Sequence, residues 1–134
     1  MNGAALGAVA IYCALNIAIL FWISIAIGLI RRRNAILIGD GGDARLAKAM
    51  RGHANAIEMM PMTLIALALA ALLGASPWLI HALGLALTIG RFLHALHFTR
   101  AGTPLWQRMA GFGLSAIALA GSAATAAILG ILAI

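Results

Sequence analysis

Acidic residues are scarce in this chain: Asp and Glu together number 3, against 9 Lys and Arg. Charged residues make up 9% of its 134 residues, whereas hydrophobic residues make up 64%. Soluble domains are typically about 25% charged, so this composition excludes an ordinary soluble domain. The mean hydropathy of +1.07 agrees with that exclusion. The length fits a single domain, and a lipid bilayer is its expected solvent.

Cysteine is almost absent as well, since Cys13 is the only one and no disulfide can form within the chain. The net charge of +6 could suggest nucleic acid, but nucleic-acid domains place their basic residues on a solvated face. Here they cluster in short gaps between apolar runs, so no nucleic-acid partner is predicted. The N-terminal apolar run is too long for a signal peptide and lacks basic residues before it, so we expect it to be retained.

Four apolar segments are long enough to cross a bilayer as helices, which takes about 20 residues each. They are predicted at residues 5–30, 44–73, 77–98 and 104–133. Asp43 is expected to cap the second helix, and Thr103 to cap a fourth helix that starts at Pro104. The predicted fold is an all-α integral membrane protein, a four-transmembrane-helix bundle that forms one domain over residues 1–134.

The basic residues predict how this bundle is oriented. All of them lie in or near the first and third connections: Arg31, Arg32, Arg33, Arg45, Lys48, Arg51, Arg91, Arg100 and Arg108. Both chain ends and the 74–77 turn contain no Lys or Arg. The positive-inside rule therefore places these two connections in the cytoplasm and both termini outside.

The segment RGHANAIEMMP, residues 51–61, places charge at the mouth of the second helix. Arg51, Asn55 and Glu58 are spaced i, i+4 and i+7, so they lie within about 60° of one another on one helix face. Charge in an apolar helix is costly unless it is paired or binds a ligand. The segment therefore predicts a functional site.

The third helix provides the counterpart, with Arg91, His94 and Phe98 near its cytoplasmic end. Because the two helices run antiparallel with a rise of about 1.5 Å per residue, Glu58 and Arg91 are expected at matching depth. An ion pair between them could bind a ligand or could merely fix the helix register. Depth matching also places Asn55 opposite His94.

Alternative interpretations apply to the other polar residues. A lone Arg51 could simply extend to water or to lipid phosphate. His94, His97 and His53 could suggest a metal site, but no thiolate or second carboxylate joins them, so no metal is predicted. The two aspartates of the first connection lack the EF-hand spacing.

Arg108 stands one turn into the fourth helix, where its charge adds to the positive helix N-terminus. Such a position stabilises an anion and could lower the pKa of a bound thiol from about 8.5 toward neutrality. The alternative is an interfacial anchor beside Trp106. The remainder of this helix is rich in small residues, which predicts close helix packing and no chemistry.

Together these residues resemble the MAPEG family, the membrane-associated proteins in eicosanoid and glutathione metabolism. The motif R-x-x-x-N-x-x-E-x-x-P is formed by Arg51, Asn55, Glu58 and Pro61. The preceding GDGG loop and the third-helix segment G-R-x-x-H, which ends at His94, strengthen the resemblance, which covers nearly the whole chain. The resemblance implies a multi-pass protein of the bacterial inner membrane.

It also implies a homotrimer surrounded by membrane lipids, with glutathione as co-substrate between neighbouring subunits near the cytoplasmic face. Arg108 would stabilise the glutathione thiolate as the catalytic residue. The residues implied in glutathione binding are Arg51, Asn55, Glu58, Arg91, His94, Arg31, Arg32, His53 and Phe98. Among these, Arg51 would bind a carboxylate, Asn55 the peptide, and Glu58 the amino group or Arg91.

Three positions depart from the family pattern. Many members have tyrosines where Met59 and Phe98 stand here, and those hydroxyls bind glutathione. Met109 replaces a serine, which argues against the prostaglandin-isomerase branch. The predicted function is a glutathione transferase or peroxidase acting on lipophilic electrophiles, its hydrophobic second substrates. The alternatives are a non-catalytic lipid- or ligand-binding member and a structural bundle without a ligand.

Overall fold

Four long α-helices form the protein, which a computed structural model describes over residues 3–134. Their bounds are Gly3–Arg33 (α1), Ala44–Leu72 (α2), Pro77–Thr99 (α3) and Leu105–Leu132 (α4). Each helix is long enough and apolar enough to cross a membrane. The prediction of an all-α fold with four membrane-spanning helices is therefore confirmed.

Asp43 begins α2 as predicted. Its carboxylate accepts hydrogen bonds from the backbone N–H groups of Arg45, at 2.8 Å, and Leu46, at 2.9 Å. These two donors lie in the first helical turn, where no backbone acceptor is available to them. The Asn34 side chain donates to the same carboxylate and so joins the end of α1 to the start of α2.

The start of α4 differs from its prediction, because Pro104 is the N-cap residue and the helix begins at Leu105. Thr103 does not cap α4. Its hydroxyl donates instead to the His97 carbonyl oxygen at 2.9 Å, and it accepts from Lys48 Nζ at 3.2 Å. This threonine thus joins the end of α3 to α2. Pro104 takes its place as the N-cap residue of α4.

Helices α3 and α4 cross closely at a point where two glycines face each other. A Cβ atom built on Gly90 would lie 2.8 Å from the Gly111 carbonyl oxygen and 2.6 Å from Ser115 Oγ. One built on Gly111 would lie 2.7 Å from the His94 backbone nitrogen. The two backbones therefore touch, which only small residues allow.

The remaining contacts bring α2 and α3 against both α1 and α4. Two apolar clusters fill the interior, one around Tyr12 and Leu67 and one around Ile23 and Met60. On the outward faces of the helices many large apolar side chains are exposed, as a lipid-facing surface requires. The α2 helix continues without interruption through Pro61.

Candidate functional site

A pocket of about 270 Å³ opens between α2, α3 and α4, at the end of the bundle that contains the basic connections. Its lining residues are Arg51, Asn55, His94, Phe98, Arg108, Met109 and Phe112. The first five of these were singled out from the sequence. Residues that are far apart in the chain therefore meet at a single cavity, with each of the three helices contributing to it.

Each helix positions its pocket residues by simple spacing. Arg51 and Asn55 are one turn apart on α2, and His94 and Phe98 are one turn apart on α3. Gly52 lies between the two α2 residues and faces Phe98: a Cβ atom there would collide with the phenyl ring. The missing side chain lets Phe98 pack directly against the α2 backbone and close one wall of the pocket.

The aromatic ring of Phe98 holds two polar side chains in place. His94 stacks on it with 4.5 Å between ring centroids. The Arg108 guanidinium carbon lies 5.7 Å from the same centroid, within the range of a cation–π interaction. Arg108 is in the first turn of α4, where the helix dipole also favours negative charge. This corner of the pocket therefore attracts an anion.

Arg91 lies behind the pocket wall and is only 1% exposed. Its Nε donates to Ser115 Oγ at 2.8 Å, and its Nη1 donates to Asn55 Oδ1 at 3.0 Å. Its Nη2 is buried and has no acceptor within residues 3–134. A charged side chain thus links α2, α3 and α4 through neutral partners.

The predicted ion pair between Glu58 and Arg91 is wrong. Glu58 lies on the exposed face of α2, and within residues 3–134 it makes no hydrogen bond or ion pair. Matching depth did not bring the two side chains together, because they point in different directions around their helices. Asn55, one turn before Glu58, occupies the position facing Arg91.

The other residues implied in glutathione binding lie outside the pocket lining. Arg31 Nη1 donates to the Leu37 carbonyl oxygen at 3.1 Å and so holds the first connection against the end of α1. Arg32 is exposed at that same end. His53 Nε2 lies 3.1 Å from Ser24 Oγ on α1. Their role in binding stays a prediction, as does that of Glu58.

Three residues of α4 belong to the site although the sequence reasoning did not identify them. Met109 and Phe112 form an apolar wall of the pocket, and Ser115 binds Arg91. Phe112 and Ser115 follow Arg108 at i+4 and i+7, the same spacing that singled out the residues of α2. The expectation that α4 beyond Arg108 serves only for packing is therefore corrected.

The pocket as a whole favours an anionic ligand with an apolar portion. Two guanidinium groups, from Arg51 and Arg108, reach it together with the Asn55 side chain. None of the seven lining residues is acidic. Met109 and Phe112 provide an apolar surface on the α4 side.

Comparison with known proteins agrees with the motifs and the helix layout. The MAPEG family model matches residues 9–128. The inner membrane protein YecN of Escherichia coli K12 is 32% identical over 89 residues, which cover 66% of this chain and 68% of YecN. YecN of E. coli O6:H1 strain CFT073 matches to the same extent. With four membrane-spanning helices, the protein is a multi-pass inner membrane protein. The chain belongs to the MAPEG family.

Proposed function

We propose that the protein binds glutathione in the pocket between α2, α3 and α4 and transfers it to lipophilic electrophiles. One observation supports this proposal above the others: the pocket combines Arg51, Asn55 and Arg108 with an apolar wall and has no acidic lining residue. Glutathione carries two carboxylates, two peptide groups and a thiol that ionises. One carboxylate, one peptide group and the thiol have matching partners among the pocket residues, namely Arg51, Asn55 and Arg108.

In this proposal Arg51 binds a glutathione carboxylate, and Asn55 hydrogen-bonds a peptide group. Arg108 lies near the thiol and stabilises its thiolate, since a guanidinium at a helix N-terminus lowers a thiol pKa. The electrophile approaches along Met109 and Phe112 from the bilayer. Holding both reactants in contact supplies much of the rate enhancement.

The chemistry needs only the two substrates. The thiol proton leaves to water, and the thiolate sulfur then attacks an electrophilic carbon and displaces its leaving group as an anion. With a lipid hydroperoxide, the sulfur takes the terminal oxygen, the O–O bond breaks, and the alkoxide takes up a proton. The resulting sulfenic acid condenses with a second glutathione thiol to give a disulfide and water.

We also propose that the site is completed by a neighbouring subunit of a homotrimer. The volume of about 270 Å³ lies just below the range of about 300–1,000 Å³ that is typical of small-molecule pockets. Glu58 is exposed on a membrane-spanning helix, where an unpaired carboxylate is costly. A neighbouring copy that covers this face of α2 would give Glu58 a partner.

The test of the proposal is glutathione binding by calorimetry, followed by turnover of a halonitrobenzene. We expect binding at millimolar glutathione or below. Arg108→Ala should lower kcat/KM by about 10²-fold or more, the usual effect of removing a group that stabilises developing negative charge. It should also abolish the ultraviolet thiolate absorbance of the bound glutathione.

Arg100→Ala is the matched control, since Arg100 is an exposed arginine near the same end of the bundle and does not line this pocket. It should keep wild-type turnover. Full activity of Arg108→Ala would refute the thiolate mechanism. If wild-type protein does not bind glutathione at millimolar concentration, the proposal that glutathione is the ligand would be refuted.

One observation favours a second candidate function, ligand binding without turnover. Phe98 lines the pocket where many members of the family have a tyrosine whose hydroxyl binds glutathione, and none of the seven lining residues has a hydroxyl group. Wild-type protein that binds glutathione but turns over neither a halonitrobenzene nor a lipid hydroperoxide would support this alternative.

A further inference from the structure

The Asn55 side chain is fixed in one orientation by its neighbour Arg91. An arginine side chain has five N–H donors and no acceptor. The Asn55 atom that lies 3.0 Å from Arg91 Nη1 must therefore be the acceptor Oδ1 and not Nδ2. The choice between amide oxygen and nitrogen, which geometry alone often leaves open, is settled here by chemistry.

Arg91 itself has little freedom to release this oxygen. It is 1% exposed, and its Nε donates to Ser115 Oγ at 2.8 Å. Ser115 in turn donates to the Gly111 carbonyl oxygen at 2.8 Å, so its own hydroxyl proton is committed to the α4 backbone. Gly90 makes room for this arrangement, since a Cβ atom there would lie 2.6 Å from Ser115 Oγ.

These hydrogen bonds thus form a chain in which each group has a fixed role as donor or acceptor. Asn55 Oδ1 accepts from Arg91, Arg91 donates to Ser115, and Ser115 donates to α4. Asn55 Nδ2 is left over: it has no acceptor within residues 3–134, and Asn55 lines the pocket. What Asn55 offers to a ligand is an N–H group.

We propose that Arg91 and Ser115 are positioning residues that make Asn55 a hydrogen-bond donor, so that the pocket selects a carboxylate or carbonyl oxygen at this point. The inference rests on the proposed function in taking glutathione as the ligand. Arg51, Asn55 and Arg108 then all donate to it. The charge of Arg91, which has no acidic partner within residues 3–134, adds to the attraction for an anion.

The Asn55→Asp variant tests whether Asn55 donates a hydrogen bond to the ligand or accepts one from it. Aspartate keeps an oxygen for Arg91 Nη1 and provides a counter-ion for the buried guanidinium. It replaces the N–H donor by a negatively charged acceptor. Without glutathione, we expect Asn55→Asp to have a Tm at or above that of wild type and Asn55→Ala to have a lower one, because alanine leaves Arg91 Nη1 unpaired.

Glutathione affinity, measured by calorimetry, should fall about tenfold or more in Asn55→Asp. An Asn55→Asp protein that binds glutathione as wild type does would overturn the inference and leave the proposed function standing. A Tm as low as that of Asn55→Ala would overturn the orientation of the amide. If wild type binds no glutathione, the proposed function fails and the selection of an acceptor fails with it.

Ser115→Ala tests the positioning role, with Ser122→Ala as its control. Ser122 is also a buried serine of α4, and it donates to the Leu119 carbonyl oxygen. Ser115→Ala should weaken glutathione binding about threefold to tenfold, the usual net effect of one hydrogen bond, whereas Ser122→Ala should not change it. In an Asn55→Ala background, Ser115→Ala should have no further effect on affinity. If the losses of glutathione affinity caused by Asn55→Ala and Ser115→Ala add in the double variant, Ser115 does not act through Asn55.

Discussion

Arg91 lies about 12 Å from the C-terminal end of α3, counted from Thr99 at 1.5 Å per residue. A charged side chain at this depth costs several kcal/mol unless hydrogen bonds satisfy it. Asn55 and Ser115 accept two of its hydrogen bonds and carry no charge. The positive charge therefore remains next to the pocket, where it favours an anionic ligand over a neutral one.

At the residue scale, Glu58→Gln should hardly change the stability of a single subunit that detergent has separated from its neighbours and that is free of glutathione. Glu58 is exposed and makes no ion pair within residues 3–134. The substitution should therefore change the free energy of unfolding of the protein by about 0.5 kcal/mol or less. Denaturation in detergent micelles measures this change. A loss of about 3–5 kcal/mol would show that Glu58 does pair with a buried charge, because breaking such a pair leaves Arg91 without its counter-ion.

At the scale of helices, the crossing of α3 and α4 determines the site. Arg108, Met109 and Phe112 line the pocket from α4, while His94 and Phe98 line it from α3. Direct contact between the backbones at Gly90 and Gly111 brings these side chains close enough to share a cavity. Two glycines that take no part in the proposed chemistry thus determine the width of the pocket.

Gly111→Ala should destabilise the protein by about 1–3 kcal/mol, because the added Cβ atom meets backbone atoms that cannot move aside. It would lie 2.7 Å from the His94 nitrogen and 2.8 Å from the Gly90 carbonyl oxygen. Gly113→Ala, two residues further on, is the control, since nothing lies within 4 Å of its Cβ position. That variant should be as stable as wild type or up to about 1 kcal/mol more stable, because alanine favours helix.

Thermal unfolding of both glycine variants in the same detergent measures the difference. Glutathione affinity should also fall in Gly111→Ala, since a wider crossing moves Arg108 away from His94. Equal stability of the two variants would contradict the close contact of α3 with α4.

At the scale of the whole molecule, the basic residues predict the direction of insertion. The 31–33 triplet, Arg45, Lys48 and Arg100 lie at one end of the bundle, together with the pocket. The opposite end has the short turn between α2 and α3, the start of α1 and the end of α4. The positive-inside rule therefore predicts a pocket that draws its anionic ligand from the cytoplasm.

Alkaline phosphatase, which is active only outside the cytoplasm, can test this orientation. A fusion after residue 134 should be active, and so should a fusion in the 74–76 turn. A fusion after residue 102, in the third connection, should be inactive because the positive-inside rule predicts that this connection is cytoplasmic. The reverse pattern would place the pocket on the outer side of the membrane and would contradict glutathione supply from the cytoplasm.

The family and the membrane-spanning helices were predicted correctly from the sequence, and the MAPEG match confirms the resemblance. The motif residues Arg51 and Asn55, with His94, Phe98 and Arg108 from the other helices, do meet in one pocket. The pairing of Glu58 with Arg91 was wrong, and the part played by Ser115 was missed. Both concern the direction in which a side chain points from its helix.

The physical reason for this division is that the bilayer determines the position of each helix along the membrane normal, whereas helix packing determines the rotation of each helix about its own axis. Hydropathy and charge determine where a segment enters and leaves the lipid, and both can be counted along the sequence. The depth of Glu58 and Arg91 was therefore determined by the sequence itself. Which side chain meets Arg91 depends on how α2, α3 and α4 rotate to bring Gly90 against Gly111. Only the tertiary structure decided that Asn55 and Ser115, and not Glu58, would bind it.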